Sequence, residues 1–324
     1  MSTVEQFYQD VKAMLDEFLR DSPTAATFLG DHCYDDRLGD FTQAGLDDQQ
    51  KRYSAWLEHF NAYDTQGWEL DAQIDLTLTR QILKQALRSF EKYRGIYRNP
   101  GGGVDECLSG VYALVIRDFA PLPVRMQGIL GRLREVPRVL AEARVMIIPA
   151  EVPPVWAEVA LESARQGVGL VAGFIPMLAQ ATPELQADVN AAAQAAAAAL
   201  QEYASWIEQT LLPQAQGNFA TGKQLFDEIL REDHMVSYDS DELLATGWRL
   251  LEDTTRQMQA VASQIDPDKT VTELLEESKH NHPSAEGLLD TYRQAMAATL
   301  REGGGGLGAE PALEARQIED QPVP

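Results

Sequence analysis

Positive charge is scarce in this sequence. Of 324 residues, 27 are Lys or Arg and 50 are Asp or Glu, which gives a net charge of −23. Such a chain repels phosphate backbones, so nucleic-acid binding is disfavoured. The acidity reads instead as a self-repelling, soluble surface. Cysteine is scarcer still. Cys33 and Cys107 stand far apart and form no CxxC, so a disulfide scaffold is not expected and a reducing, cytoplasmic compartment is. No stretch reaches the roughly 18 apolar residues of a membrane span. Met1–Phe7 lacks the basic segment and apolar run of a secretory signal. No β-hairpin signal, no solenoid-type repeat and no phosphate loop ending in Gly-Lys-Ser/Thr is present.

What is present is helical periodicity. The chain is 44% hydrophobic, enough for a core, and its length suits two domains or one long helical one. Ser2-Thr-Val-Glu5 has capping-box spacing ahead of Phe7, Val11, Met14, Leu15 and Phe18. Tyr53, Trp56, Leu57 and Phe60 line a second helix over 46–63. A third, over 70–93, carries Ile74, Leu78, Ile82 and Phe90, joined by Leu83 and Leu87, as its apolar stripe. Asn99-Pro-Gly-Gly-Gly103 reads as a break. A helix over 108–119 and another from Pro121 toward Ala143 follow, the latter kinked or divided at Pro137. Residues 155–178 are helical, with Gly167, Gly169 and Gly173 as weak points. Thr182-Pro183-Glu184 starts a helix reaching Leu212, with Thr182 as its cap. Asp239-Ser-Asp-Glu242 and Thr270-Val-Thr-Glu273 are capping boxes, and Ser284 starts a last helix ending near Arg301. The sum is an all-α array of roughly ten to twelve helices occupying 1–302. The composition then changes: Gly303–Pro311 is linker-like and 312–324 is a polar tail.

Few side chains suggest chemistry. Asp31, Asp35, Asp36 and Asp40 share a loop without EF-hand spacing, so turn formation and capping are expected of them. His280 and His282 stand at alternate positions near Glu276 and Glu277, where a solvated helix end outweighs metal binding. His234 sits in a polar turn near Asp233 and Tyr238, with no nucleophile or metal to serve. The Cys107 thiolate is disfavoured by Asp105 and Glu106, and Ser109 lacks a nucleophile elbow. Arg117, Arg125, Arg132, Arg134 and Arg138 form a locally basic segment. They could clamp a substrate carboxylate, but pairing with neighbouring acids is the stronger reading.

One stretch, Asn218–Trp248, resembles a bacterial family named domain of unknown function 885, among the zincin-like metallopeptidases. Other segments agree with it in order: Pro23–Gly30 with Asp36 and Leu38; Leu70–Asp75 leading to Arg98-Asn99-Pro100; Phe119-Ala-Pro121, Arg125 and Val136-Pro137; Ala160–Gly167; Ile265–Pro267; and His282-Pro283. The resemblance covers about residues 5–302. It implies a longer protein whose C-terminal half carries zinc on a His-Glu pair followed by Pro-Gly-His. Zinc there would hold and activate a water while the Glu takes its proton. This chain's histidines are His32, His59, His234, His280 and His282, and none precedes a Glu. No catalytic, cofactor-binding or metal residue carries over, and no cofactor is expected in this chain.

The reading reached from the sequence is a helical scaffold, one wall of a peptide cleft, incomplete or non-catalytic by itself. The alternative is a stand-alone helical binding protein that kept the fold without the chemistry. The expected partner is a missing C-terminal catalytic half, or a second copy meeting it through an exposed apolar face.

Overall fold

The structure, a computed structural model, describes residues 3–303. Every regular element among them is helical and no strand occurs, so the fold is all-α. The chain divides into two compact units, one of Met1–Ser240 and a second that begins at Asp241.

In the first unit, α1 (Val4–Asp21), α2 (Pro23–Leu29), α3 (Gln43–Asn61) and α4 (Leu70–Arg88) build an aromatic core. Phe7 meets Phe60 edge-on at 6.0 Å and Tyr63 at 5.8 Å, a favourable geometry for ring quadrupoles. The cap of α1 is Thr3, whose hydroxyl accepts from the Gln6 amide at 3.1 Å; the sequence spacing points one residue earlier. α4 differs more from expectation. It buries Ala72, Leu76, Thr79 and Leu83; of the expected stripe Leu83 is buried and Leu87 and Phe90 pack against the aromatic core, while Ile74, Leu78 and Ile82, with Leu70, stay 44% to 68% exposed. The two stripes lie on roughly opposite faces and both satisfy helical periodicity, so the aromatic core, not the period, selects the buried one. A π-helical segment, Ser89–Tyr93, continues α4 until Arg94 turns the chain at φ 55°.

After α5 (Gly95–Arg98), α6 spans Gly101–Ala113. The glycine run therefore opens a helix, not a break; only Asn99 and Pro100 interrupt. Asn99 Oδ1 accepts from the Gly101 amide at 2.9 Å. A Cβ on Gly103 would stand 2.6 Å from the Ala143 Cβ, so the glycine permits α6 to lie directly on α7 (Leu122–Met146). α7 passes through Pro137 as one helix. α8 (Pro154–Gly169) continues through a π-helical segment, Leu170–Phe174, into α9 (Ile175–Ala179), so the predicted weak points Gly169 and Gly173 fall at or inside the π register. α10 (Pro183–Trp206) extends through a second π segment, Ile207–Leu211. Thr182 is its N-cap residue, as the sequence predicts, but the side chain makes no capping bond; its hydroxyl donates back to the Ala179 carbonyl at 3.1 Å. The alanine-rich stretch lays Ala193, Ala196, Leu200 and Ala204 into the larger core with Ile129, Leu133 and Val136 of α7. Small side chains let the two helix backbones approach closely.

α11 (Lys223–Glu232) closes the first unit. The second unit holds α12 (Ser240–Ile265) from its second residue onward, α13 (Val271–Ser278) and α14 (Leu288–Gly303). The Thr270–Glu273 capping box forms as the sequence predicts. α14 starts at Leu288, after a turn in which the Gly287 amide donates to the Ser284 carbonyl. Leu244, Trp248, Leu251, Met258 and Ile265 of α12 are all exposed. Gly303 ends α14; the rest of the expected linker and tail, 304–324, lies outside the described residues.

Candidate functional site

A polar cleft of about 590 Å³ lies in the first unit where α1, α3, α7 and the loop over 37–42 meet. α1 contributes Arg20 and Asp21, α3 contributes Asp48, Gln49 and Arg52, and α7 contributes Glu135, Arg138 and Glu142. On α7 these last three recur every three or four residues, so one helix face presents them together. Arg138 reaches Glu135 at 2.6 Å, Glu142 at 2.7 Å and the Gly39 carbonyl at 3.2 Å. Burial lowers the Arg138 pKa, but its bonds to Glu135 and Glu142 outweigh that and raise it. Arg52 pairs with Asp21 and Asp48. Asp40 accepts from the Thr42 amide at 2.8 Å, at the start of α3. A Cβ on Gly45 would overlap the Asp40 carboxylate, so glycine there leaves room for it.

Arg37 and Arg20 are different. Arg37 has no hydrogen bond or ion pair from its guanidinium among the described residues, and Arg20 uses only Nε, toward Asp21 at 3.3 Å. The loop that carries Arg37 is nevertheless held. The wholly buried Arg132 donates to the Arg37 carbonyl at 3.0 Å, to the Pro23 carbonyl at 3.1 Å and to the Gly110 carbonyl.

The arginines singled out from the sequence thus have several roles. Arg125 holds the Ala120, Leu114 and Val115 carbonyls and Asp118, Arg117 the Phe28 carbonyl, and Arg134 pairs with Asp188. Only Arg138 faces the cleft. The acidic loop is a set of turns and bonds: Asp31 accepts from the Cys33 amide, and Asp35 from the Thr27 hydroxyl. His32 stacks on Phe119 at 3.6 Å and contacts Asp35 at 3.0 Å. His59 and Tyr63 share Asp10, at 2.5 and 2.6 Å. Burial pushes Asp10 up, yet these hydrogen bonds prevail and hold it below the usual carboxylate range. His234, His280 and His282 are exposed at turns, and Ser109 is exposed on α6. Cys107 is buried; burial first, then Glu106, pushes its thiol up. No group of three or more His, Cys, Asp or Glu able to hold a metal ion occurs among the described residues. Sequence reasoning misses the cleft's Arg20, Arg37, Arg52 and Asp48, because no local spacing joins α1, the loop over 37–42, α3 and α7; the i,i+4 pair Asp48–Arg52 is the one local signal.

A second polar assembly fixes α11. Arg88, almost buried on α4, binds Glu228 at 2.9 Å, Glu232 at 2.6 Å and Asp233, and Lys92 adds a bond to Glu228 at 2.6 Å. Two of the resemblance segments meet nearby, where Arg98 donates to the Asn218 carbonyl; beside them the Gly217 amide donates to the Val152 carbonyl at 2.8 Å.

These features define an all-α scaffold with a charged cleft and exposed apolar side chains along α4 and α12. The chain belongs to the family described as "Bacterial protein of unknown function (DUF885)", whose model matches residues 23–304. A solved structure described as "a putative lipoprotein of unknown function from Shewanella oneidensis" is similar over 96% of this chain, with a TM-score of 0.78 at 16% identity. The chain spans 59% of that structure's length. No curated protein matches the chain. No helix of the described residues is long and apolar enough to cross a membrane.

Proposed function

We propose that this chain is the helical half of a zincin-related metallopeptidase fold, a truncated or split member that forms one wall of a peptide cleft without a catalytic centre of its own. The observation that supports this best is the outer face of α4. Leu70, Ile74, Leu78 and Ile82 stand at four-residue intervals, each at least 44% exposed. An apolar face that regular is normally covered. The similar solved chain is longer, this chain spanning 59% of it, which supports the reading that further polypeptide covers such a face. The occupant in this reading is the zinc-bearing half; a second copy of this chain is the competing occupant. Elemental analysis and peptidase assays on mixed peptides, with and without chelator, test the reading. We expect no stoichiometric zinc and no chelator-sensitive cleavage. One zinc per chain with such cleavage overturns it, and so does a monodisperse monomer that binds no hydrophobic dye.

The alternative, a stand-alone helical binding protein, is favoured by one feature: the polar cleft is complete within Met1–Ser240. The free thiols Cys33 and Cys107 support a reducing, cytoplasmic setting for either reading, whereas the neighbour's description as a lipoprotein supports an anchored one. Cell fractionation separates the two.

A further inference from the structure

We propose that the cleft between α1, α3 and α7 receives the carboxylate end of a short peptide on Arg37 and Arg20, which names a ligand class for the peptide-cleft reading and rests on it. The argument is a balance of partners. Asp21 and Asp48 are taken by Arg52, and Glu135 and Glu142 by Arg138. Glu142 also accepts from the Phe41 amide at 3.1 Å, and Asp40 from the Thr42 amide. Arg52 and Arg138 are in turn saturated. What remains unspent in the cleft is the whole guanidinium of Arg37 and the two terminal nitrogens of Arg20. A guanidinium fork is the side chain best matched to a carboxylate, because two parallel N–H bonds meet its two oxygens.

Arg37 and Arg20 are exposed, and two further features support a receptor role for them. The Arg37 backbone is anchored from beneath by Arg132, and the next residue, Leu38, is 4% exposed, so the base of the side chain is preorganised. The cleft's volume of about 590 Å³ falls in the range of small-molecule sites. The molecule's charge chooses among oxyanions. A field of net −23 repels a free dianion such as phosphate but not a peptide, whose ammonium end offsets its carboxylate. The peptide's ammonium end is left to solvent in this arrangement, because the carboxylates of the walls are already paired.

Isothermal titration calorimetry of the full chain tests this, with trialanine, trialanine amide and inorganic phosphate as probes. We expect trialanine to bind in the millimolar range or tighter and at least about tenfold better than its amide, the loss of one charge-assisted pair. Arg37→Gln should remove most of that preference and Arg20→Gln part of it, with thermal melts unchanged. Equal binding of peptide and amide overturns the proposal, as does wild-type affinity in Arg37→Gln, phosphate binding as well as trialanine, or no heat from trialanine at millimolar concentration. Zinc-dependent cleavage would end the reading given above without touching these outcomes. Carboxylate-blind binding would end this one and leave that reading in place.

Discussion

The guanidinium of Arg132 donates to the Thr27 hydroxyl at 2.6 Å, and that hydroxyl donates onward to Asp35 at 2.6 Å. A side chain with no solvent exposure thereby meets its counter-charge, 3.9 Å away, through a relay. Burial lowers the Arg132 pKa, but a guanidinium stays protonated in proteins, so the cation must be held by acceptors. Three backbone segments supply them, around Pro23, Arg37 and Gly110. We expect Arg132→Met to destabilise the first unit by about 3–5 kcal/mol, because buried carbonyls lose their donors. Arg132→Lys should recover little, since an ammonium cannot reproduce the planar fork. Thr27→Val should cost about 1–3 kcal/mol. Urea unfolding midpoints measure all three, and a Met variant within about 1 kcal/mol of wild type would mean that the carbonyls find water instead.

The attachment of α11 should depend on salt and pH. The helix buries only Leu230, so Arg88 and Lys92 on Glu228, Glu232 and Asp233 carry much of its docking. One neutral bond, from the Gln81 amide to the Glu232 carbonyl, adds to it. Lys92 first, then Arg88, hold Glu228 below its ordinary value of 4.5. A depressed carboxylate contributes stability that is present above its unfolded pKa and lost as pH falls through the folded one. Relative to the intrinsic rate at each pH, hydrogen exchange over 223–232 should therefore be slow at pH 7 and speed up below about pH 4.5. It should also rise at ~1 M salt, where the screening length is about 3 Å, and in Arg88→Met at any pH. Protection unchanged under all three conditions would assign α11 docking to Leu230 alone.

How much of this is legible in the sequence differs element by element. The Thr270–Glu273 box is readable because both partners lie within one turn. The helical stretch of α4 and its π segment to Tyr93 is readable from its period, but its buried face only in part: Leu83, Leu87 and Phe90 reach the core, and Ile74, Leu78 and Ile82 do not. Ile74 and Leu76 belong to equally regular stripes, and only contact with Phe7 and Phe60 tells them apart. Gly101–Gly103 resembles a break because nothing local reveals that Ala143 stands where a side chain would go. The cleft is invisible for the same reason. Arg37, Arg52 and Arg138 meet only after α3 and α7 have packed, so no spacing rule joins them.

Close helix approach gives a paired test. A Cβ on Gly131 would lie 2.6 Å from the Asp36 carbonyl oxygen and 2.8 Å from its Cα, backbone that cannot swing aside. Gly131→Ala should cost about 1–3 kcal/mol through overpacking. Gly102, in the first turn of α6, has open space where a Cβ would stand, with nothing within 4 Å, and no left-handed φ. Gly102→Ala should stabilise by about 0.5–1 kcal/mol, because alanine loses less entropy in a helix. Thermal melts of the two variants should move in opposite directions. A melt that rises in both would show that α7 can shift away from the Asp36 loop at little cost.

The two thiols should differ sharply in reactivity. Cys33 is exposed, and its hydrogen bond to Asp31 raises its pKa, so less thiolate exists at neutral pH. Cys107 is buried, which suppresses both ionisation and access. A thiol reagent should therefore modify one group per native chain, slowly at pH 7 and faster as pH rises, and a second only on unfolding. Asp31→Asn removes the carboxylate that opposes the thiolate, so it should speed the native reaction. Cys33→Ser should abolish it and leave a reaction that reports unfolding alone. Two thiols reacting in the folded chain at comparable rates would mean that α6 opens from α7 without global unfolding, and the core around Cys107 would then have to be counted as a separately opening unit.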